Sequence, residues 1–204
     1  MRTPWAGYDV LDKWDSPSFN DVTRGVLSRR LHAVPERRFL SADEFRLLEA
    51  IAARLVPQPD RAAPIPIAPW VDNDLFENRS EGFRQSGSPP LQDAWRRGLA
   101  GVEATARRRY VRPFADLDPE SQDLTLQAIQ AGEVDGRDWS GLSAKHFFVH
   151  LTKVVAGVYY SHPTAWSEIG FGGPASPRGY VRLGLNQRDP WEAGPAGSGG
   201  RGAS

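Results

Sequence analysis

The sequence predicts an all-α fold: a small irregular bundle of four or five helices with extended, aromatic-rich arms at both ends. Three observations carry this expectation. Apolar residues recur at i, i+3 and i+4 over several long stretches, the spacing that builds one helix face. Start and stop signals bracket those stretches. No stretch alternates apolar and polar residues as a half-buried strand does, and no internal repeat is present.

Residues 1–38 lack a helical period. Trp5, Tyr8, Trp14 and Phe19 are spread among Pro, Gly, Asp and Ser. Two readings stay open: an extended arm whose rings find pockets, or a partly disordered N-terminus. The helical domain follows over residues 39–160. Its clearest helix runs from Ser41 to Val56. Ser41 and Glu44 form a capping box, Phe45, Leu48, Ile51, Ala52 and Leu55 make one apolar face, and Pro57 and Pro59 end it. Residues 57–69 are rich in Pro and Ala and read as an extended connection. Trp70 to Phe76 predicts a short helix, in which Asp72, Asp74 and Glu77 read as carboxylates on a solvated face.

After a polar loop from Asn78 to Pro90, a long helix spans Leu91 to Tyr110, with Trp95, Leu99, Val102, Ala106 and Tyr110 as its stripe. Arg107, Arg108 and Arg109 fall in its last turn, where the helix dipole favours cations. Asp118-Pro119-Glu120 opens the next helix with a cap, a proline at the first position and an acid in the first turn. Leu124, Leu126, Ala128 and Ile129 supply its apolar contacts. The last helix runs from Ser143 to Val158 and buries Phe147, Phe148, Leu151, Val154, Val155 and Val158. Residues 161–192 then form a docking arm rich in Gly, Pro and aromatics, and residues 193–204 a disordered tail.

Composition narrows the function. The 204 residues carry 25 Lys and Arg against 25 Asp and Glu, a net charge of zero, so nothing favours nucleic acid or an anionic membrane. The chain has no Cys, which excludes disulfides, thiolate metal sites and a thiol nucleophile. No apolar run approaches the roughly 18 residues that span a bilayer. Seven Trp are many for this length, and Trp and Tyr favour interfaces. Two arginine pairs, Arg29-Arg30 and Arg37-Arg38, superficially resemble an export signal, but no apolar h-region follows either, and both read as surface arginines.

Candidate chemistry is sparse. His146 and His150 share a helix face, yet the motif lacks the Glu and third ligand of a catalytic zinc site. His162 precedes Pro163 with no paired nucleophile, so a conformational or hydrogen-bonding role suits it. Gly170-Phe171-Gly172-Gly173-Pro174 lacks the strand, helix start and Lys of a phosphate loop. It reads as backbone that passes close to something, with Gly supplying positive φ. No catalytic residue, cofactor-binding residue or metal ligand is assigned to this chain.

The stretch from residue 159 to 180 is the most informative. Tyr159, Tyr160, Trp166, Phe171 and Tyr180 fall within it, and a disordered tail is poor in such rings. Tyr159, Tyr160, His162, Trp166, Phe171, Arg178 and Tyr180 are the candidate partner-binding residues. The alternative is that these rings pack on the chain's own helices.

The combined pattern resembles the gluconate 2-dehydrogenase subunit 3 family. The likeness rests on Phe39-Leu40-Ser41-Ala42-Asp43-Glu44-Phe45, on Leu55-Val56-Pro57, on the helix holding Phe147 to Tyr160, and on Tyr159-Tyr160-Ser161-His162-Pro163. The last motif runs into Trp166, Ile169-Gly170-Phe171, Gly173-Pro174 and Pro177-Arg178-Gly179-Tyr180. The resemblance implies a non-catalytic accessory subunit that binds and stabilises a large FAD-dependent oxidoreductase of the glucose–methanol–choline type. It also implies that the FAD belongs to that partner and that a c-type cytochrome subunit often takes the electrons. Family members often carry a twin-arginine export signal, a feature this chain departs from. A cytoplasmic complex fits that departure; a periplasmic one exported with its partner is the alternative. Two further readings are a dedicated maturation chaperone for the flavoenzyme and an independent helical enzyme using its histidines.

Overall fold

The computed structural model describes residues 5, 7–59, 61–79, 89–174 and 192–194. Seven α-helices lie among them: α1 Asp21–His32, α2 Ala42–Leu55, α3 Ile67–Phe76, α4 Leu91–Tyr110, α5 Pro119–Ala131, α6 Ala144–Ser161 and α7 Pro163–Ile169. The described residues include no strand, and the fold is all-α as expected. Two compact units divide the chain, one made of residues 1–34 and 159–204, the other of residues 35–158.

In the unit of residues 35–158, α2 begins with the Ser41–Glu44 capping box. Leu48, Ile51, Leu99, Val102, Ala106, Ile129, Leu151 and Val155 form its dry centre. Helix α4 approaches its neighbours closely because two of its buried positions are glycines. The ring of Phe147 lies against Gly98 and the indole of Trp139 against Gly101. Trp95 meets Phe147 edge to face at 5.8 Å.

Two expectations are corrected here. Asp72 is not on a solvated face; it is fully buried. Its carboxylate accepts from the backbone N–H of Arg38 (2.5 Å), Phe39 (3.1 Å) and Leu40 (2.7 Å), a turn whose donors have no helix or strand to serve them. Leu124, expected among the apolar contacts of its helix, is exposed. Helix α5 buries Gln122, Thr125, Leu126 and Ile129 instead. Both polar members are satisfied there, Gln122 donating to the Phe114 carbonyl and Thr125 to the Ser121 carbonyl, so burial costs α5 little.

Ion pairs lace the outside of this unit. Arg54 grips Asp123 with two bonds of 2.7 and 2.6 Å, and Arg108 grips Asp138 at the same distances. The Arg54 hydrogen bond holds the Asp123 carboxyl below the usual carboxylate range, and the Arg108 bond does the same for Asp138. The N–H of Ser121 lowers Asp118 at the α5 cap, and Arg137 lowers Asp135. A carboxylate with a depressed folded-state pKa contributes fully above its unfolded value, about 4, and the contribution is lost as pH falls through the folded value. Thermal melts are therefore expected to show falling stability below about pH 4. Arg54→Met with Arg108→Met should flatten that acid limb and leave the neutral region less changed. An unchanged limb would show that these exposed pairs contribute nothing.

The unit of residues 1–34 and 159–204 contains a third departure from expectation. Residues 1–38 are not an extended arm throughout: α1 occupies residues 21–32, capped by Asn20, whose side chain accepts from the Thr23 N–H at 2.8 Å. Only Leu27 of this helix is buried. A helix with a single buried position shows no apolar period, so it has no stripe to read. A 3-10 turn at Val10–Lys13 precedes it, capped by Asp9. Val10, Phe19, Leu27 and Trp166 form the buried cluster, with Tyr8, Leu11 and Trp14 packed around it.

Both arginine pairs sit in folded structure. Arg30 donates to the Ser161 carbonyl at 2.7 Å. Arg37 donates to the Leu40 carbonyl at 2.6 Å, and Arg38 stacks 4.1 Å from the Phe76 ring centroid and bonds Asn73.

Candidate functional site

The aromatic block spans the last residues of α6, the whole of α7 and the glycine turn after it. His162 is the extended residue between them, and Pro163 opens α7 at the position where a missing N–H costs nothing. The Nδ1 of His162 lies 2.8 Å from the Thr164 hydroxyl. Helix α7 closes at Gly170, which takes a φ of 69°, a left-handed geometry that glycine adopts freely. The same glycine is needed for space, since a methyl there would sit 2.6 Å from the Trp5 indole. The expected close passage of the glycine-rich turn is thus found, and its neighbour is the N-terminal segment.

The candidate residues divide into two groups. Tyr159 and Trp166 are each 5% exposed, and His162 is 9%. The Tyr159 hydroxyl donates to the Glu168 carboxylate at 2.6 Å, and the Trp166 indole N–H donates to the Tyr160 carbonyl at 2.7 Å. Both polar handles are therefore satisfied inside the chain. Tyr160 and Phe171 point outward, 48% and 42% exposed. Each rests edge to face on one of the buried rings, Tyr160 on Tyr159 at 5.0 Å and Phe171 on Trp166 at 5.5 Å. Exposed Ile169 lies between them in sequence. Arg178 and Tyr180 lie outside the described residues.

Three contributors were not singled out from the sequence as belonging here. Ser167 bridges the block to the N-terminal segment, accepting from the Val10 N–H at 3.0 Å and donating to Asp9 at 3.1 Å. Lys13 is buried, and its ammonium donates to the Gly172 carbonyl. Tyr8 donates to the Phe171 carbonyl at 3.3 Å. Burial, with Glu192 and Asp9 nearby, pushes its hydroxyl up to about 12. The scattered aromatics Trp5, Tyr8 and Phe19 were the available signal, but nothing local named their target.

The other unit offers little reactive chemistry. A cavity of about 320 Å3 opens beside Leu47, Leu99 and Pro113. Its main charges serve the fold. Glu103 holds Arg107 at 2.7 Å and the Phe114 N–H at 3.0 Å, and Glu44 accepts from the Ser41 N–H at 2.8 Å. His150 accepts from the Trp95 indole at 3.2 Å, and His146 is exposed. Among the described residues no three His, Asp or Glu side chains gather as a metal site. Arg107, Arg108 and Arg109 are each engaged, by Glu103, by Asp138 and by the Leu124 carbonyl.

No curated protein sequence and no solved structure matches the chain significantly. The sequence profile of gluconate 2-dehydrogenase subunit 3 matches residues 42–173, from the first turn of α2 to the glycine turn after α7. That span is well over half of the chain and includes the whole aromatic block from Tyr159 to Phe171, and the chain belongs to the gluconate 2-dehydrogenase subunit 3 family.

Proposed function

We propose that this chain is a non-catalytic small subunit that binds and stabilises a larger FAD-dependent oxidoreductase of the glucose–methanol–choline type, acting on a sugar or sugar acid. The flavin and the catalytic base belong to that larger chain in this reading, and a c-type cytochrome receives the electrons. Beyond family membership, one observation supports it. Tyr160 and Phe171 are half-exposed rings held by edge-to-face contact on rings that are buried. Such rings lose little conformational freedom on binding, and aromatic anchors commonly carry much of an interface's energy. Among the described residues no helix is long and apolar enough to cross a membrane.

The proposal predicts a gene for such a large oxidoreductase beside this one, and co-expression of the two chains tests it. Size-exclusion chromatography, monitored at the flavin band, should give one yellow complex containing both chains. Tyr160→Ala together with Phe171→Ala should weaken it by roughly a hundredfold, with circular dichroism of the small subunit unchanged. A folded small subunit that elutes alone and colourless would sink the proposal.

A further inference from the structure

The unit that holds the aromatic block is built from two pieces more than a hundred residues apart in sequence. The family match begins at residue 42, so the N-terminal piece lies outside it, while residues 159–173 lie inside. The N-terminal piece nevertheless completes the core of the block. Val10, Phe19 and Leu27 are each no more than 2% exposed and cluster with Trp166. Phe19 also packs on Gly173, where an added methyl would meet its ring at 3.2 Å.

Directional bonds accompany the packing. Val10 and Asp9 hold Ser167, Tyr8 reaches the Phe171 carbonyl, and Arg30 reaches the Ser161 carbonyl. Lys13 crosses the glycine turn, its ammonium bonded to the Gly172 carbonyl and 4.9 Å from the centroid of the Phe19 ring. A buried ammonium persists only where its donors are met, so this contact belongs to the settled interior. Contacts thus run from Ser161, near the start of the block, to Gly173 at its end.

We propose that residues 8–32 are a self-docking strap that permanently occupies the Trp166 face of the 159–173 block. A partner then meets the outer surface of the strap and the rings of Tyr160 and Phe171, but never the Trp166 indole. The clause about a partner rests on the subunit function proposed above; the strap itself does not.

The exposed link at residues 33–36, just after α1, allows a direct test in the full chain. A specific protease site is placed there, the chain is folded and then cut. The N-terminal fragment should stay with the remainder through gel filtration at micromolar concentration. The 19F resonance of Trp166 in fluorotryptophan-labelled protein, assigned with Trp166→Phe, should not move on cleavage. Phe19→Ala with Leu27→Ala in the cut protein should weaken retention by on the order of a hundredfold or more. Release of the unmutated fragment on cutting would overturn the strap. So would its release when the larger oxidoreductase chain is added, because the partner would then be taking the Trp166 face. A larger chain that does not bind at all would count against the subunit function alone, since retention of the fragment already decides the strap.

Discussion

Asp72→Ala is expected to cost about 3 kcal/mol of stability, the largest loss from any single polar substitution in the unit of residues 35–158. The carboxylate is fully buried and accepts from three consecutive backbone N–H groups, those of Arg38, Phe39 and Leu40. Alanine removes every acceptor and leaves the donors facing an apolar methyl. An unsatisfied buried donor costs roughly 1–3 kcal/mol, and the part-buried donors of this turn recover some of that from water. Asp72→Asn should fall between the two, because its amide keeps one acceptor oxygen and turns an NH2 towards a donor. Urea denaturation, read as a shift in midpoint at constant slope, measures both. A loss under about 0.5 kcal/mol for the alanine variant would mean that the turn rearranges freely and that Asp72 does not hold it.

Gly98→Ala and Gly101→Ala are each expected to destabilise by about 2 kcal/mol, lowering Tm by roughly 4–8 °C. Helix propensity alone predicts the opposite sign, because alanine is favoured over glycine in a helix interior by about 1 kcal/mol. Space decides. A methyl at Gly98 would overlap the Phe147 ring, and one at Gly101 would lie 2.6 Å from the Trp139 indole. Both rings are almost completely buried and wedged against further side chains, so neither can yield the ångström or more required. The Trp139 indole N–H is buried with no hydrogen-bond partner among the described residues, so shape alone seats that ring. Gly157 in α6 is the control, with nothing within 4 Å of an added methyl. Gly157→Ala should raise the Tm of the isolated chain by a few degrees. Stabilisation by all three substitutions in differential scanning calorimetry would refute the ring-to-backbone packing of α4.

These variants also mark where sequence reasoning reached and where it stopped. The stripe Trp95, Leu99, Val102 and Ala106 was legible on α4 because apolar side chains at helical spacing announce a buried face. Gly98 and Gly101 were not, since a glycine gives no sign of whether a neighbour fills the space above it. Asp72 was legible as a carboxylate on α3 but not as a buried one. Its acceptor role depends on a turn 32 to 34 residues away in sequence, and no local rule links the two.

The candidate site shows the same division. The clustering of Tyr159, Tyr160, Trp166 and Phe171 marked the block, and the glycines after α7 marked a close approach. Which rings face outward was not legible. Tyr159 and Tyr160 are the same residue type one position apart, yet one donates to Glu168 from the interior and the other is half exposed. Adjacent positions on a helix lie about 100° apart, and only the packing of Trp166 and α7 decides which of the two is covered.

By itself the sequence determined the helical class, the starts of α2, α4 and α5 and the family, because caps, prolines and apolar spacing act within a few residues. The tertiary structure alone decided that the N-terminal segment folds onto the aromatic block, that Asp72 faces inward and that Tyr160 and Phe171 are the rings left exposed. Each of those outcomes depends on contacts between residues far apart in the chain. Their energies come from desolvation and shape, which no local spacing encodes.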